Sequence, residues 1–316
     1  MKPVLTLSLN PAVDLSSETE KVQHTRKVRT FNERYDPGGG GINVARVVKR
    51  LGGEVEAVFG AGGELGALLE RLLRDEGTPC RGLPFREQTR LGHTVRERST
   101  GLEYRFVPKG PTVSVEELEP FVEAVSAHQG AYAVASGSLP EGAPPDVYAR
   151  MAEAARRRGA RFVLDSSGAG LSETLARASV FLVKPSLGEL ETLVGQKLDE
   201  AGVCRAAAGL VERGAAELVA VTMGIEGAVL ASAEGLMRMR AIHVRTRSAV
   251  GAGDSFLAGM VWALTEGWST EDAFRLGISA GAATAMTPGT ELCRQQDVLE
   301  LYGQLRKGDL ERVAVA

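Results

Sequence analysis

A carboxylate, Asp254, stands directly after the small-residue turn Val250-Gly251-Ala252-Gly253. Downstream, Phe256, Leu257, Met260, Val261 and Leu264 recur at helical spacing, which predicts a helix beginning at Asp254. Upstream, Ile242 and Val244 alternate against His243 and Arg245, which predicts a strand over Met239 to Val250. The first amides of a helix have no intrahelical partner and attract anions, and glycine lets a phosphate come close to the backbone. A carboxylate there is a poor neighbour for a resting phosphate. It suits a base that takes a proton from a hydroxyl attacking that phosphate. The alternative is that Asp254 is only a first-turn acid favoured by the helix dipole.

Other segments offer partner chemistry. The run Pro37-Gly38-Gly39-Gly40-Gly41-Ile42-Asn43 is entropically costly. It makes sense where backbone approaches a ligand, with Asn43 supplying donors and acceptors, or as a hinge. Gly60-Ala61-Gly62-Gly63-Glu64-Leu65-Gly66 resembles a dinucleotide fingerprint, but its third glycine is one position late and no acidic strand end follows. Lys184-Pro185-Ser186-Leu187-Gly188-Glu189 lies at a strand end. Glu189 there could face a phosphate-bound Mg²⁺ or close a capping box with Ser186. Asp14, after Asn10-Pro11, could accept hydrogen bonds from two sugar hydroxyls, or be a turn residue. Lys27, Arg90 and Arg105 could hold a phosphate already on a substrate, or form a solvated face.

Those side chains must be positioned by a frame, and the alternation of elements predicts one. Strands are expected at Val4–Leu9, Val55–Phe59, Ala131–Ser136, Arg161–Asp165, Phe181–Lys184, Leu218–Thr222 and Gly227–Ala231. Helices are expected at Gly41–Leu51, Leu65–Glu76, Asp146–Arg158, Gly188–Val194, Asp254–Thr265, Thr270–Met286 and Gln296–Leu305. This is the pattern of an α/β fold with a mainly parallel sheet covered on both faces. Two polar, β-patterned stretches break it, residues 15–36 and 85–108. The second contains a hairpin turning at Ser99-Thr100-Gly101. They are expected to leave the core (1–14, 37–84 and 109–316) and pair as one discontinuous β-lid, or to form two separate hairpins.

The whole-chain properties exclude several classes. Of 316 residues, 44% are hydrophobic, enough for a core, and the net charge of −3 gives no pull toward nucleic acid or anionic membrane. Cys80, Cys204 and Cys293 have neither disulfide nor zinc spacing and fit a reducing cytoplasm. No apolar run approaches a bilayer span of roughly 20 residues, and Met1 to Thr6 runs into a strand pattern without a signal-peptide core.

Taken together the motifs resemble one family, the PfkB or ribokinase-like carbohydrate kinases, phosphosugar branch, over nearly the whole chain. The matching segments are Asn10-Pro11-Ala12-Val13-Asp14, Pro37 to Asn43, Ser136-Gly137-Ser138-Leu139-Pro140, Asp165-Ser166-Ser167-Gly168, Lys184-Pro185 with Glu189, and Gly251-Ala252-Gly253-Asp254. The resemblance implies a three-layer αβα sandwich with a small β-sheet lid, and a homodimer formed through that lid. It implies ATP-dependent phosphorylation of a hexose phosphate. Fructose 6-phosphate at its 1-hydroxyl is the first expectation, with tagatose 6-phosphate and fructose 1-phosphate as competitors. By the same resemblance Asp254 is the base and Gly251, Ala252 and Gly253 shape the anion hole. Lys184, Ser186, Thr222 and Gly224 lie near ATP, and Glu189 near Mg²⁺. Asp14, Gly39 and Asn43 meet sugar hydroxyls, while Lys27, Arg90, Arg105 and Ser138 meet the sugar phosphate. Ser248, Val250, Thr287 and Gly289 fall where some relatives bind K⁺. Ser186 departs from the family's usual Asn, and Glu291 replaces a basic residue. A nicotinamide oxidoreductase built on Gly60 to Gly66 and a non-catalytic sugar-phosphate sensor are the rival classes.

Overall fold

The computed structural model describes residues 3–305 and 309–313. The first half of the chain forms β1 (Val4–Ser8), β2 (Ala12–Thr19), β3 (Phe31–Gly38), α1 (Gly40–Arg50), β4 (Val55–Ala61), α2 (Gly63–Asp75), β5 (Cys80–Pro84), β6 (Arg90–Glu97), β7 (Glu103–Phe106), α3 (Val115–Ala127), β8 (Tyr132–Ser136) and α4 (Val147–Arg157). The second half adds β9 (Arg161–Asp165), α5 (Gly168–Arg177), β10 (Val180–Val183), α6 (Leu187–Val194), α7 (Glu200–Glu212), β11 (Ala216–Thr222), β12 (Ala228–Ser232) and β13 (Gly235–Met239). It closes with α8 (Ala252–Thr265), α9 (Thr270–Ala285), α10 (Gln295–Gln304) and β14 (Leu310–Val313).

The large sheet runs β14-β13-β12-β11-β10-β9-β8-β1-β4-β5. From β11 to β5 every pairing is parallel, whereas β12, β13 and β14 add on antiparallel. Parallel strands bury both faces, so they carry near-continuous apolar runs such as Val4-Leu5-Thr6-Leu7. Successive residues feed opposite layers. Val4, Tyr132 and Val134 pack with α1, α8 and α9, while Leu5, Leu7, Ala133 and Ala135 pack with α3, α4 and α7. This is the ribokinase-like α/β architecture, with its ligand edge at the carboxyl ends of the parallel strands.

The two excursions pair into one separate sheet, β3-β2-β6-β7, rather than two hairpins. Its strands begin earlier than residue 15 and continue past residue 36, because β2 and β3 stay paired down to Ala12 and Gly38. β2 runs parallel to β6, and β6 turns back on β7 around Ser99 to Gly101. The small sheet rests on the loop after α9. Thr290 Oγ1 donates to Asp36 Oδ2 at 2.5 Å, and Arg34 meets Glu291 at 3.5 Å.

The expected strand from Met239 to Val250 is not there. β13 ends at Met239, and residues 240–249 run as irregular backbone to the turn before α8. The alternation of Ile242 and Val244 arises because both line a cavity. Helices α3, α5 and α7 lie where no helix was expected. α3 carries Pro120 inside it, α5 opens on two glycines, and α7 is built largely from Ala and Gly with little periodic contrast.

Candidate active site

The turn into α8 is made by Gly251, at φ 75° in the left-handed region that favours glycine. Asp254 follows within the first helical turn, and with Ala252 and Gly253 it lines a cavity of about 600 Å³; Ala252 N donates to Ala249 O at only 3.4 Å. The same cavity is lined by Ser138, Lys184, Ser186, Glu189, Thr222 and Gly224. The nucleotide-side candidates, Asp254 and Ser138 therefore share one space. Asn43, on α1, donates its Nδ2 to Asp254 Oδ2 at 2.8 Å. Burial pushes the Asp254 carboxyl up to about 6, and the charge of Asp165 adds to this, while the Asn43 hydrogen bond and Lys184 oppose it.

Lys184 is buried and pairs with Asp165 at 3.0 Å. Burial works against its charge, but Asp165 more than compensates, and the ammonium is held above its ordinary range. A Cβ added at Gly253 would lie 3.4 Å from Lys184 Nζ, so this ammonium sits against the start of α8. Two positive features, a lysine and the partial charge of a helix N-terminus, thus converge on the cavity beside a base. Asp165 already neutralises the lysine, and the helix start beside it suits an anion.

The glycine run shapes the other wall. Gly39 adopts φ 113°, and a Cβ on Gly38 would fall 2.1 Å from Asp14 Oδ2. A Cβ on Gly40 would strike Ser136 Oγ at 2.2 Å, and one on Gly41 would strike Leu7 O at 2.4 Å. The run is thus a close-packed floor rather than slack chain. Asp14, on β2, lies opposite Gly92 of β6 and Asp36 of β3. Burial raises its carboxyl pKa, against the charges of Arg105 and then Arg90. Ser138 Oγ receives a hydrogen bond from Asn10 Nδ2 at 3.3 Å.

Arg90 makes backbone contacts that its sequence position does not announce. Its guanidinium donates to the carbonyls of Asn10 at 2.8 Å, Pro108 at 3.0 Å and Pro11 at 3.4 Å. It clamps the β1–β2 corner to the end of the second excursion. Lys27 does not join the others. It is exposed in the loop beyond Thr19, whose hydroxyl donates to Arg29 O. Asp14 is five residues down β2 from Thr19, roughly 17 Å at strand rise. Ser186 and Glu189 form the capping box. Glu189 Oε2 accepts from Ser186 N at 2.7 Å, and Glu189 N donates to Ser186 Oγ at 3.3 Å. One Glu189 oxygen therefore already serves the helix. Ser248 lies beside the end of α9, where Ala285 O accepts from Ser248 N at 3.4 Å, and Thr287 follows two residues later. Val250 N in turn donates to Ser248 Oγ at 3.3 Å. The glycines at Gly60 and Gly62 have a packing reason, since added Cβ atoms would meet the Phe85 ring at 2.0 Å and Glu87 O at 1.8 Å.

The pfkB family carbohydrate kinase model matches residues 7–297. The chain belongs to this family. It is 44% identical over 302 residues to ATP-dependent 6-phosphofructokinase isozyme 2 of Mycobacterium tuberculosis, covering 95% of this chain and 88% of that protein. The crystal structure of phosphofructokinase-2 from Escherichia coli in complex with potassium superposes with a TM-score of 0.92 at 36% identity, covering 96% of this chain and 99% of that one. 1-Phosphofructokinase of Bacillus subtilis stands further off, at 34% identity over 93% of this chain and 96% of that protein.

As a PfkB kinase the chain has site features that its motifs did not announce. Ile242, Val244, Phe256, Ile278 and Ala282 supply the apolar part of the lining of the cavity that Lys184 and Glu189 also line. Ile242 and Val244 were visible only as an alternation that also fits a strand. The motif around Asp165 does not announce a role for it, and only the fold shows that it neutralises Lys184.

Proposed function

We propose that this PfkB kinase transfers the γ-phosphoryl group of ATP to the 1-hydroxyl of fructose 6-phosphate. Greater similarity to 6-phosphofructokinases than to a 1-phosphofructokinase favours that acceptor over fructose 1-phosphate or tagatose 6-phosphate. The observation that carries the chemistry is the meeting of Lys184, the α8 N-terminus and Asp254 at one wall of the cavity.

Asp254 accepts the proton of the 1-hydroxyl as its oxygen bonds to the γ-phosphorus. The bond from that phosphorus to the β–γ bridging oxygen breaks, and ADP leaves. The amides of Ala252 and Gly253, with Lys184, stabilise charge on the transferred group, usually the largest catalytic contribution. Thr222 and Gly224 flank the nucleotide and the apolar wall receives its base. Asp14, Gly39 and Asn43 orient the sugar hydroxyls. Arg105 and Ser138 meet the sugar phosphate, and Arg90 holds the corner that presents them.

Among the described residues no cluster of three His, Cys, Asp or Glu forms a metal cage. This suits Mg²⁺, which keeps waters and binds through one or two carboxylates plus substrate phosphates. The free oxygen of Glu189 would meet it, and the ion would neutralise phosphate charge. Ser248, Val250, Thr287 and Gly289 offer only hydroxyl and carbonyl oxygens, the donor set a hard cation such as K⁺ takes, and an ion there would steady the turn into α8. Lys27 is too remote to serve its own site, so it would reach the sugar phosphate of the partner subunit in a lid-paired dimer.

Asp254→Asn should lower turnover by about 10² to 10⁴ with the fold intact, measured as ADP release with fructose 6-phosphate. Near-normal turnover would remove Asp254 from the role of base.

A further inference from the structure

Arg46 is the largest fully buried side chain among the described residues, 1% exposed, and lies outside the lining of the cavity. It lies one turn after Asn43 on α1, on the same helical face. Each nitrogen of its fork has a hydrogen-bond partner. Nε and Nη2 donate to the two oxygens of Glu76, just past the end of α2, at 2.8 and 2.7 Å. Nη1 donates to Pro37 O at 2.8 Å and reaches Asn43 Oδ1 at 3.4 Å. Asp36 lies 3.9 Å from Nη2.

The contact with Asn43 has a directional consequence. A guanidinium can only donate, so the Asn43 face turned to Arg46 must be its carbonyl oxygen. The opposite face is then the NH₂, the only part of the amide able to serve an ionised carboxylate. That face is the one at 2.8 Å from Asp254 Oδ2. With Arg46 on one side and Asp254 on the other, a single amide orientation satisfies both. Without Arg46 the amide could turn over and set oxygen against oxygen.

We propose that Arg46, held by Glu76, is a positioning residue that fixes the Asn43 amide and through it the aim of Asp254. Resting on the reading of Asp254 as base, it extends the catalytic machinery to the α2 end and to the Asp36-Pro37 corner of the lid. A purely structural role, pinning α1 to α2, would cost stability without coupling to Asn43.

The test is a double-mutant cycle of Arg46→Lys with Asn43→Ala, reading kcat and both KM values, with thermal unfolding alongside. Alone, Arg46→Lys should lower kcat roughly 10- to 100-fold, the scale of a misaimed catalytic group. KM for ATP should be unchanged. In the Asn43→Ala background the same change should cost less than about twofold, because coupled residues are not additive. Glu76→Gln, at an exposed position and expected to fold where Arg46→Lys does not, should give the same pattern more weakly. Equal kcat losses in both backgrounds, or a lower Tm with kcat intact, overturn the proposal. An inactive Asp254→Asn beside an additive cycle sinks the positioning role alone, whereas an active Asp254→Asn sinks the reading beneath it.

Discussion

Asp254 must be ionised to accept a proton, so its raised pKa sets where activity begins. Burial and the nearby Asp165 charge favour the neutral carboxyl, and the displaced value of about 6 lies above that of an ordinary carboxylate. The base form therefore disappears as pH falls through about 6, earlier than an unshifted Asp would lose it. We expect kcat/KM to be flat at neutral pH and to fall tenfold per unit below that midpoint. A profile still flat at about pH 4.5 would show that no buried carboxyl limits the reaction. The same shift opposes folding at neutral pH. The unfolded chain ionises this group more readily, so its contribution is best below the ordinary Asp pKa and is lost as pH rises through about 6. Lys184 is the counterweight. Removing one member of its buried pair with Asp165 leaves an uncompensated charge costing about 3–5 kcal/mol.

Two element junctions carry the site, the β3–α1 corner and the turn into α8. At the first, Gly38 leaves room that Asp14 fills. Gly38→Ala would put a methyl 2.1 Å from Asp14 Oδ2 and force that carboxylate aside. KM for fructose 6-phosphate should rise by about an order of magnitude while KM for ATP holds. An unchanged sugar KM would detach Asp14 from sugar binding. These junctions were legible in the sequence because glycines beside periodic helices are a local signal. The α1 and α8 patterns bury broad apolar faces, and the observed helices start within two residues of expectation. What was not legible depends on distant partners. That Arg90 also braces three carbonyls is visible only once the fold brings them to it. Residues 240–249 alternate as a strand does, yet face a cavity rather than a sheet. α7 lacks contrast because its small residues pack closely on β11 and β12.

Across the whole molecule the lid is asymmetric. Asp14, Gly92 and Asp36 share a row on one face, while Tyr35, Leu15, His93 and Phe106 form the neighbouring row on the other. Phe106 is 61% exposed and Tyr35 48%, with Leu102 and Val107 exposed nearby. Exposed apolar groups concentrated in this way mark an interaction surface. A lid-to-lid dimer would cover them and bring Lys27 toward the partner's site. Phe106→Glu should shift the sedimentation coefficient from dimer to monomer and weaken fructose 6-phosphate binding; an unchanged coefficient would place the interface elsewhere. The central claim is phosphoryl transfer from ATP to a sugar that already carries a phosphate. It is tested most directly by ADP release across fructose 6-phosphate, tagatose 6-phosphate, fructose 1-phosphate and free fructose. We predict the highest kcat/KM for fructose 6-phosphate and the lowest for free fructose. Free fructose turned over as efficiently as fructose 6-phosphate, or no ADP release with any of the four, would contradict it.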